Sequence, residues 1–297
     1  MKHYEVKKLS LKNGETIAYR ECGSGLKTIV LVHGNMSSSV HFQPVMEQLE
    51  NSYKVYAVDM RGFGDSSYHS ELNSLRDFST DIRLWVESLK LDRFTLLGWS
   101  TGGGVVLELA ADLPEKVEKV LLLDSVGIKG YPMFKKDEKG QPVLTQLITT
   151  KDEIRVDAVQ VKPILDAYEN RNKEMLKMIW NAVIYNLKQP GEEDYNDYLD
   201  AMLKQRNLVD VDYSLVHFNM THDHNGVNGG SGRIDLIKCP VVIMHGKLDY
   251  VVPFSQALEM KDYFKDQAFL VPFENVGHSC ITDNLDLFVS TVRNHVA

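Results

Sequence analysis

The chain has 297 residues and little cysteine. Cys22, Cys239 and Cys280 are its three, with no C-x-x-C spacing. An odd, sparse set excludes a disulfide framework and predicts reduced thiols. No long apolar run occurs. Thr28-Ile29-Val30-Leu31-Val32 is among the longest, strand-sized and far short of a membrane span. Residues 1–8 lack the apolar centre of a secretory signal, so a cytoplasmic protein is expected, with no membrane partner. Positive charge is also scarce: 33 Lys and Arg face 41 Asp and Glu, for a net charge of −8. No basic stripe with interleaved aromatics appears, which argues against nucleic acid or an anionic membrane surface as partner. There is no internal repeat. Apolar residues are plentiful at 43%, enough for one large domain or a core carrying a substantial insertion.

The order of local signals defines an α/β pattern. Residues 3–22 read as a hairpin turned at Lys12-Asn13-Gly14-Glu15, where Asn-Gly supplies the turn. Strands then follow at 28–32, 54–59, 93–97 and 119–124, with helices near 40–50, 75–90 and 101–113. This alternation predicts a mostly parallel sheet covered on both faces. It breaks after Asp124. Residues 130–230 read as helical, with an apolar stripe from Met175 through Trp180 to Leu187. Strands resume at 240–244 and 268–271, and a last helix is expected at about 282–295. The organisation predicted is a core of 1–129 and 231–297 with a helical cap of 130–230 inserted. The glycine-rich 225–232 rejoins the two.

Gly98-Trp99-Ser100-Thr101-Gly102 is the most informative stretch. It joins the strand Phe94–Leu97 to an apolar helix, which sets Ser100 at the tip of a strand–turn–helix. A serine hydroxyl is a weak nucleophile. It needs a base within hydrogen-bond reach, and the base needs an orienting acid. His278 lies between the last strand and the last helix and is the candidate base. Asp249 follows the preceding strand and is the candidate acid, with Asp124 the alternative, since it ends a strand one earlier. All lie past carboxyl ends of parallel strands, where open α/β sheets build their sites. An oxyanion needs prepositioned donors. The N–H of Thr101 is one, and the N–H of Asn35 in the His33-Gly34-Asn35-Met36 loop is assigned as the other, with Met36 as fallback. Met36, Trp180 and Val251 are candidate pocket residues.

These segments resemble the α/β-hydrolase superfamily over nearly the whole chain. The matching stretches are His33-Gly34-Asn35, Asp59-Met60-Arg61-Gly62-Phe63-Gly64-Asp65-Ser66, the Gly98–Gly102 elbow, His245-Gly246-Lys247-Leu248-Asp249 and Gly277-His278. The resemblance implies an eight-stranded, mostly parallel sheet flanked by helices, with an inserted cap. It also implies a cofactor-independent serine esterase acting on a small-molecule ester. The cap position is similar to that of small esterases, haloperoxidase-like enzymes and epoxide hydrolases. The elbow Gly-Trp-Ser-x-Gly-Gly, with the segments at 225–227 and 240–241, also resembles intracellular polyhydroxybutyrate depolymerases of bacilli. A depolymerase, a perhydrolase or haloperoxidase, and a non-catalytic ligand receptor remain as alternatives. The elbow carries Ser where epoxide hydrolases and haloalkane dehalogenases use Asp. No His-Gly-Gly-Gly lipase loop occurs, nor the Gly-Gly-Ser-Trp-Gly of proline iminopeptidases.

Other polar residues have plainer readings. His33 is expected to be structural, packed beneath the elbow. Asp59, Arg61 and Asp65 are expected to pin their loop, and Trp99 to pack in the elbow away from substrate. Thr221-His222-Asp223-His224 reads as a polar loop, and no metal is assigned. The natural substrate and the oligomeric state are not legible at this level.

Overall fold

The computed structural model describes residues 1–296. β1 (Lys7–Ser10) and β2 (Thr16–Cys22) form the antiparallel hairpin. The alternating part follows: β3 (Thr28–Val32), α1 (Gln43–Leu49), β4 (Lys54–Val58), α2 (Leu75–Ser88), β5 (Phe94–Trp99), α3 (Thr101–Asp112) and β6 (Val117–Leu123). The inserted segment holds β7 (Met133–Lys136), β8 (Pro142–Ile148), α4 (Lys151–Arg155), α5 (Lys162–Glu169), α6 (Lys173–Val183), α7 (Glu192–Met202) and α8 (Leu208–His217). The chain closes with β9 (Val241–Gly246), α9 (Phe254–Phe264), β10 (Ala268–Phe273), α10 (Cys280–Asp283) and α11 (Leu285–Val296). Among the described residues, no helix is long and apolar enough to cross a membrane.

Eight strands form one sheet in the order β1-β2-β4-β3-β5-β6-β9-β10. β2 pairs antiparallel with β1 and β4, and every other pairing is parallel. The fold is thus the α/β-hydrolase architecture that the sequence resembles. The central strands read as continuous apolar runs because helices cover both faces, and Ile29, Val30, Leu31 and Val32 are all fully buried. Ile29, Leu31, Leu97, Leu121 and Met244 belong to a core shared with α1, α11 and the inserted segment. Their alternates Val30, Leu96, Val120, Leu122 and Ile243 face α2, α3 and α9. α2 shows how such a helix is specified. Ser74 and Asp77 form a capping box at its start, and Leu75, Phe78, Ile82, Trp85 and Val86 make its buried stripe.

Register sets the site. Val32 pairs with Gly98, Trp99 with Leu123, Leu123 with Met244, and Gly246 with Phe273. The carboxyl ends of β3, β5, β6, β9 and β10 therefore finish side by side, and the loops carrying Asn35, Ser100, Asp124, Asp249 and His278 leave from one edge.

The inserted segment departs from the helical expectation. It opens with the antiparallel pair β7–β8, turned at Asp137, whose Oδ1 accepts from the N–H of Lys139 and of Gln141 (2.9 Å each). β8 is largely exposed on both faces, so it lacks the alternation that reveals a half-buried strand. The α6 stripe ends at Val183, and Leu187 lies beyond it, exposed. The last helix begins at Leu285, after the short α10.

Candidate active site

The turn after β5 holds Ser100 at φ 56° and ψ −122°, a conformation that costs a non-glycine residue about 1–3 kcal/mol. Tertiary hydrogen bonds hold it: Ser100 N–H donates to Leu123 O (3.0 Å), and Val126 N–H donates to Ser100 O (3.2 Å). The flanking glycines are required sterically. A Cβ on Gly98 would fall 2.4 Å from Gly102 O, and one on Gly102 would fall 2.2 Å from Val32 O. Ser100 is thereby pressed against the first loop, where a Cβ on Gly34 would lie 2.8 Å from Ser100 Cβ.

Asp249 and His278 meet across 29 residues of chain. His278 Nδ1 and Asp249 Oδ2 are 2.7 Å apart, both side chains buried. Asp249 Oδ1 accepts the N–H of Val251 (2.7 Å) and of Val252 (2.9 Å). Burial acts to raise the Asp249 pKa. Attraction by His278 and hydrogen bonds from two imidazoles outweigh it, holding the carboxylate ionised well below its usual range. Trp99 fixes the other partner, because its Nε1–H donates to His278 O at 2.8 Å. Trp99 is buried and absent from the cavity wall. It ties the elbow to the histidine loop, a role that no sequence spacing marks.

Asp124 stands behind this pair. Its Oδ1 accepts Gly246 N–H at 2.7 Å, and its Oδ2 has no partner among the described residues. Burial pushes its pKa up to about 7. His245 completes the group, with Nε2 2.9 Å from Val252 O and 3.4 Å from Asp249 Oδ2. Burial opposes charge on His245, but Asp249 and Asp124 hold its pKa above the ordinary value. One polar atom each from Asp124, His245 and Asp249 lies within 4.8 Å of the others, so this trio, unlike Thr221–His224, clusters ligand-type groups. His222 of the latter pairs with Asp235 at the surface (2.8 Å).

The amides expected to hold an oxyanion are those of Thr101 and Asn35, with Met36 as fallback. Thr101 opens α3, so its N–H has no acceptor one turn back. The N–H of Asn35 makes no hydrogen bond among the described residues. That of Met36 is taken by Asn35 Oδ1 (2.9 Å) and Gln205 Oε1 (3.1 Å). His33 lies beneath, accepting Met60 N–H at Nε2 (3.1 Å), with Nδ1 2.8 Å from Gly34 O. That pairing makes Nδ1 the protonated nitrogen, and burial lowers the His33 pKa to about 4, keeping it neutral. Asp59 ties the first loop to its own through the N–H groups of Ser39 (2.8 Å) and Asp65 (3.0 Å), while Arg61 pairs with Asp81 (2.6 Å).

A cavity of about 430 Å³ opens over the serine. Ser100, Thr101, Asn35, Met36 and His278 line it from the core side, joined by Val251 and by Trp180, Ile179 and Val183 of α6. Asp249 and Asp124 do not reach its wall. Leu144 and Met178 of the inserted segment are exposed, and Ile148 is buried away from the cavity. Asp212, Tyr131 and Tyr250 also line it; no sequence signal marked them.

Comparison with known proteins agrees with this architecture. A family model described as alpha/beta hydrolase fold matches residues 27–285. The chain is similar to a pimeloyl-[acyl-carrier protein] methyl ester esterase of Aliivibrio salmonicida, 28% identical over 270 residues, covering 89% of this chain and 90% of that one. It is also similar to a 2-hydroxymuconate semialdehyde hydrolase of Pseudomonas sp., 24% identical with 93% and 89% covered. Among solved structures, an esterase from Exiguobacterium antarcticum superposes with a TM-score of 0.74 at 24% identity, covering 98% of each chain. The match over nearly its full length establishes that the chain belongs to the α/β-hydrolase family and is a hydrolase.

Proposed function

We propose that the protein is a serine hydrolase of carboxylic esters, with Ser100, His278 and Asp249 as its triad and residues 130–230 as a cap over the site. The observation that carries this reading is the buried 2.7 Å contact of His278 Nδ1 with Asp249 Oδ2, behind a cavity wall that His278 shares with Ser100. With Nδ1–H held by the carboxylate, Nε2 is the free basic nitrogen. It takes the Ser100 proton as Oγ attacks the acyl carbon, then delivers it to the departing alcohol. Asp249 fixes the tautomer and offsets the imidazolium charge. The amides of Asn35 and Thr101 receive the oxyanion, and Asn35 is preferred over Met36 because the Met36 amide is already occupied. Water repeats the cycle on the acyl-enzyme. The cavity wall is mostly apolar, which suits uncharged esters of short to medium acyl chain. The esterase named among the relatives lends the same direction.

The test is covalent labelling with a fluorophosphonate, alongside turnover of p-nitrophenyl esters. Wild type should label and turn over; Ser100→Ala should do neither while keeping its melting temperature. Labelling that persists in Ser100→Ala removes the assignment.

A further inference from the structure

We infer that Asp212 selects substrates bearing a neutral hydroxyl close to the reacting ester carbonyl. The inference rests on the ester-hydrolase reading above. Asp212 lies on α8 and lines the cavity, where it is the one carboxyl among the described residues, and no Lys or Arg shares the wall. Its Oδ1 accepts from Asn35 Nδ2 at 3.1 Å. Among the described residues its carboxyl has no other hydrogen bond and no ion pair. The nearby cation Lys136 is engaged with Asp157 at 2.6 Å. An acceptor thus stands half-buried in a mostly apolar wall, open only to what enters the cavity. Oδ1 has one partner and Oδ2 has none among the described residues, so an entering donor has an oxygen free to meet it. Burial also pushes the Asp212 carboxyl up to about 7.

The location narrows the ligand. Asn35 links Asp212 to the oxyanion site: its side chain binds Asp212 and Gln205 (2.8 Å from Asn35 Oδ1), while its own N–H faces the serine in the proposed mechanism. A donor meeting Asp212 therefore sits within a few atoms of the reacting carbonyl. An anionic substituent there would meet a carboxyl with no cation to receive it. An ammonium would lose its hydration to an apolar wall, a larger cost than a hydroxyl incurs.

The experiment compares p-nitrophenyl butyrate with its 3-hydroxy and 3-amino analogues and with p-nitrophenyl hemisuccinate. The enzymes are wild type, Asp212→Asn and Asp212→Leu. Wild type should favour the hydroxy ester over butyrate in kcat/KM by about 10-fold or more and disfavour the hemisuccinate. In Asp212→Leu both preferences should shrink towards one, with Asp212→Asn between. A purely structural role would scale all four esters alike, so the ratio isolates recognition from any loosening of Asn35. An unchanged hydroxy-to-plain ratio in Asp212→Leu overturns the inference, and so does a wild-type preference led by the amino ester. Calorimetric binding of the uncleaved esters to Ser100→Ala reads the same preference without chemistry. Asp212-dependent binding without turnover by wild type would strike the hydrolytic reading alone. Turnover whose selectivity ignores Asp212 would strike this one alone.

Discussion

Replacing Asp249 with Asn is nearly isosteric, and the structure dictates how the amide must sit. Two N–H groups, of Val251 at 2.7 Å and Val252 at 2.9 Å, point at Oδ1, so the amide oxygen is forced onto that side. The NH₂ then faces His278 Nδ1 where Oδ2 stood at 2.7 Å. Two donors cannot share that contact, so Nδ1 must become the acceptor and the ring proton moves to Nε2. An Nε2–H imidazole cannot take the Ser100 proton. The same tautomer trap in serine proteases costs about 10⁴ in kcat, or about 5.4 kcal/mol of barrier at 1.36 kcal/mol per decade. We expect Asp249→Asn to lower kcat on p-nitrophenyl butyrate by about 10³–10⁴, with KM and melting temperature little changed. Asp124→Asn should cost no more than about tenfold, because Asp124 reaches only the Gly246 amide and not the imidazole. The assay is steady-state hydrolysis of the two variants beside wild type, corrected for background cleavage. If Asp249→Asn keeps more than a tenth of wild-type kcat, or Asp124→Asn loses as much as Asp249→Asn, the reasoning fails.

Trp99→Phe removes the 2.8 Å bond to His278 O and leaves a buried carbonyl unsatisfied, at about 1–3 kcal/mol; kcat should fall about tenfold with the loosened imidazole, and an undiminished kcat beside a lowered melting temperature would make the bond merely structural. Ile179→Ala enlarges the cavity on the α6 side; longer acyl esters should gain relative to acetate by about fourfold per added methylene, at about 0.8 kcal/mol each, until the space fills, and equal loss at every chain length would place Ile179 outside the acyl site. For pH, the Asp212 carboxyl is raised to about 7 from an ordinary 3.8. The unfolded chain ionises first, so wild type loses stability from this group as pH rises from about 4 to about 7. Asp212→Asn lacks that loss, so its stability relative to wild type should be greater at pH 8 than at pH 4.5, by at most about 4 kcal/mol; thermal melts of both proteins at the two pH values check this, and a difference that does not move with pH refutes it.

Much of this molecule was written in local sequence. Four- to seven-residue apolar runs became parallel strands because strands covered on both faces need no alternation. Gly98, Ser100 and Gly102 announced their turn because steric limits there act over five residues. The positions of Asp249 and His278 after successive strands followed from strand order alone. What folding decided lies in contacts between distant segments. The indole of Trp99 reaches the carbonyl of His278 across 179 positions. The Met36 amide, a plausible oxyanion donor by position, is filled by Gln205 from the inserted segment. The β7–β8 hairpin leaves little mark in the sequence because the exposed faces of β8 impose no periodicity, and Leu144 and Met178 turn outward because helix and strand facing depends on how each element packs. Asp212 is the clearest case. One acid on an amphipathic helix reads as a solvated residue, and only the way α8 packs beside the Asn35 loop turns its carboxyl into the cavity. Side-chain direction in an inserted helix is set by its rotation against the core, a quantity that no sequence spacing encodes.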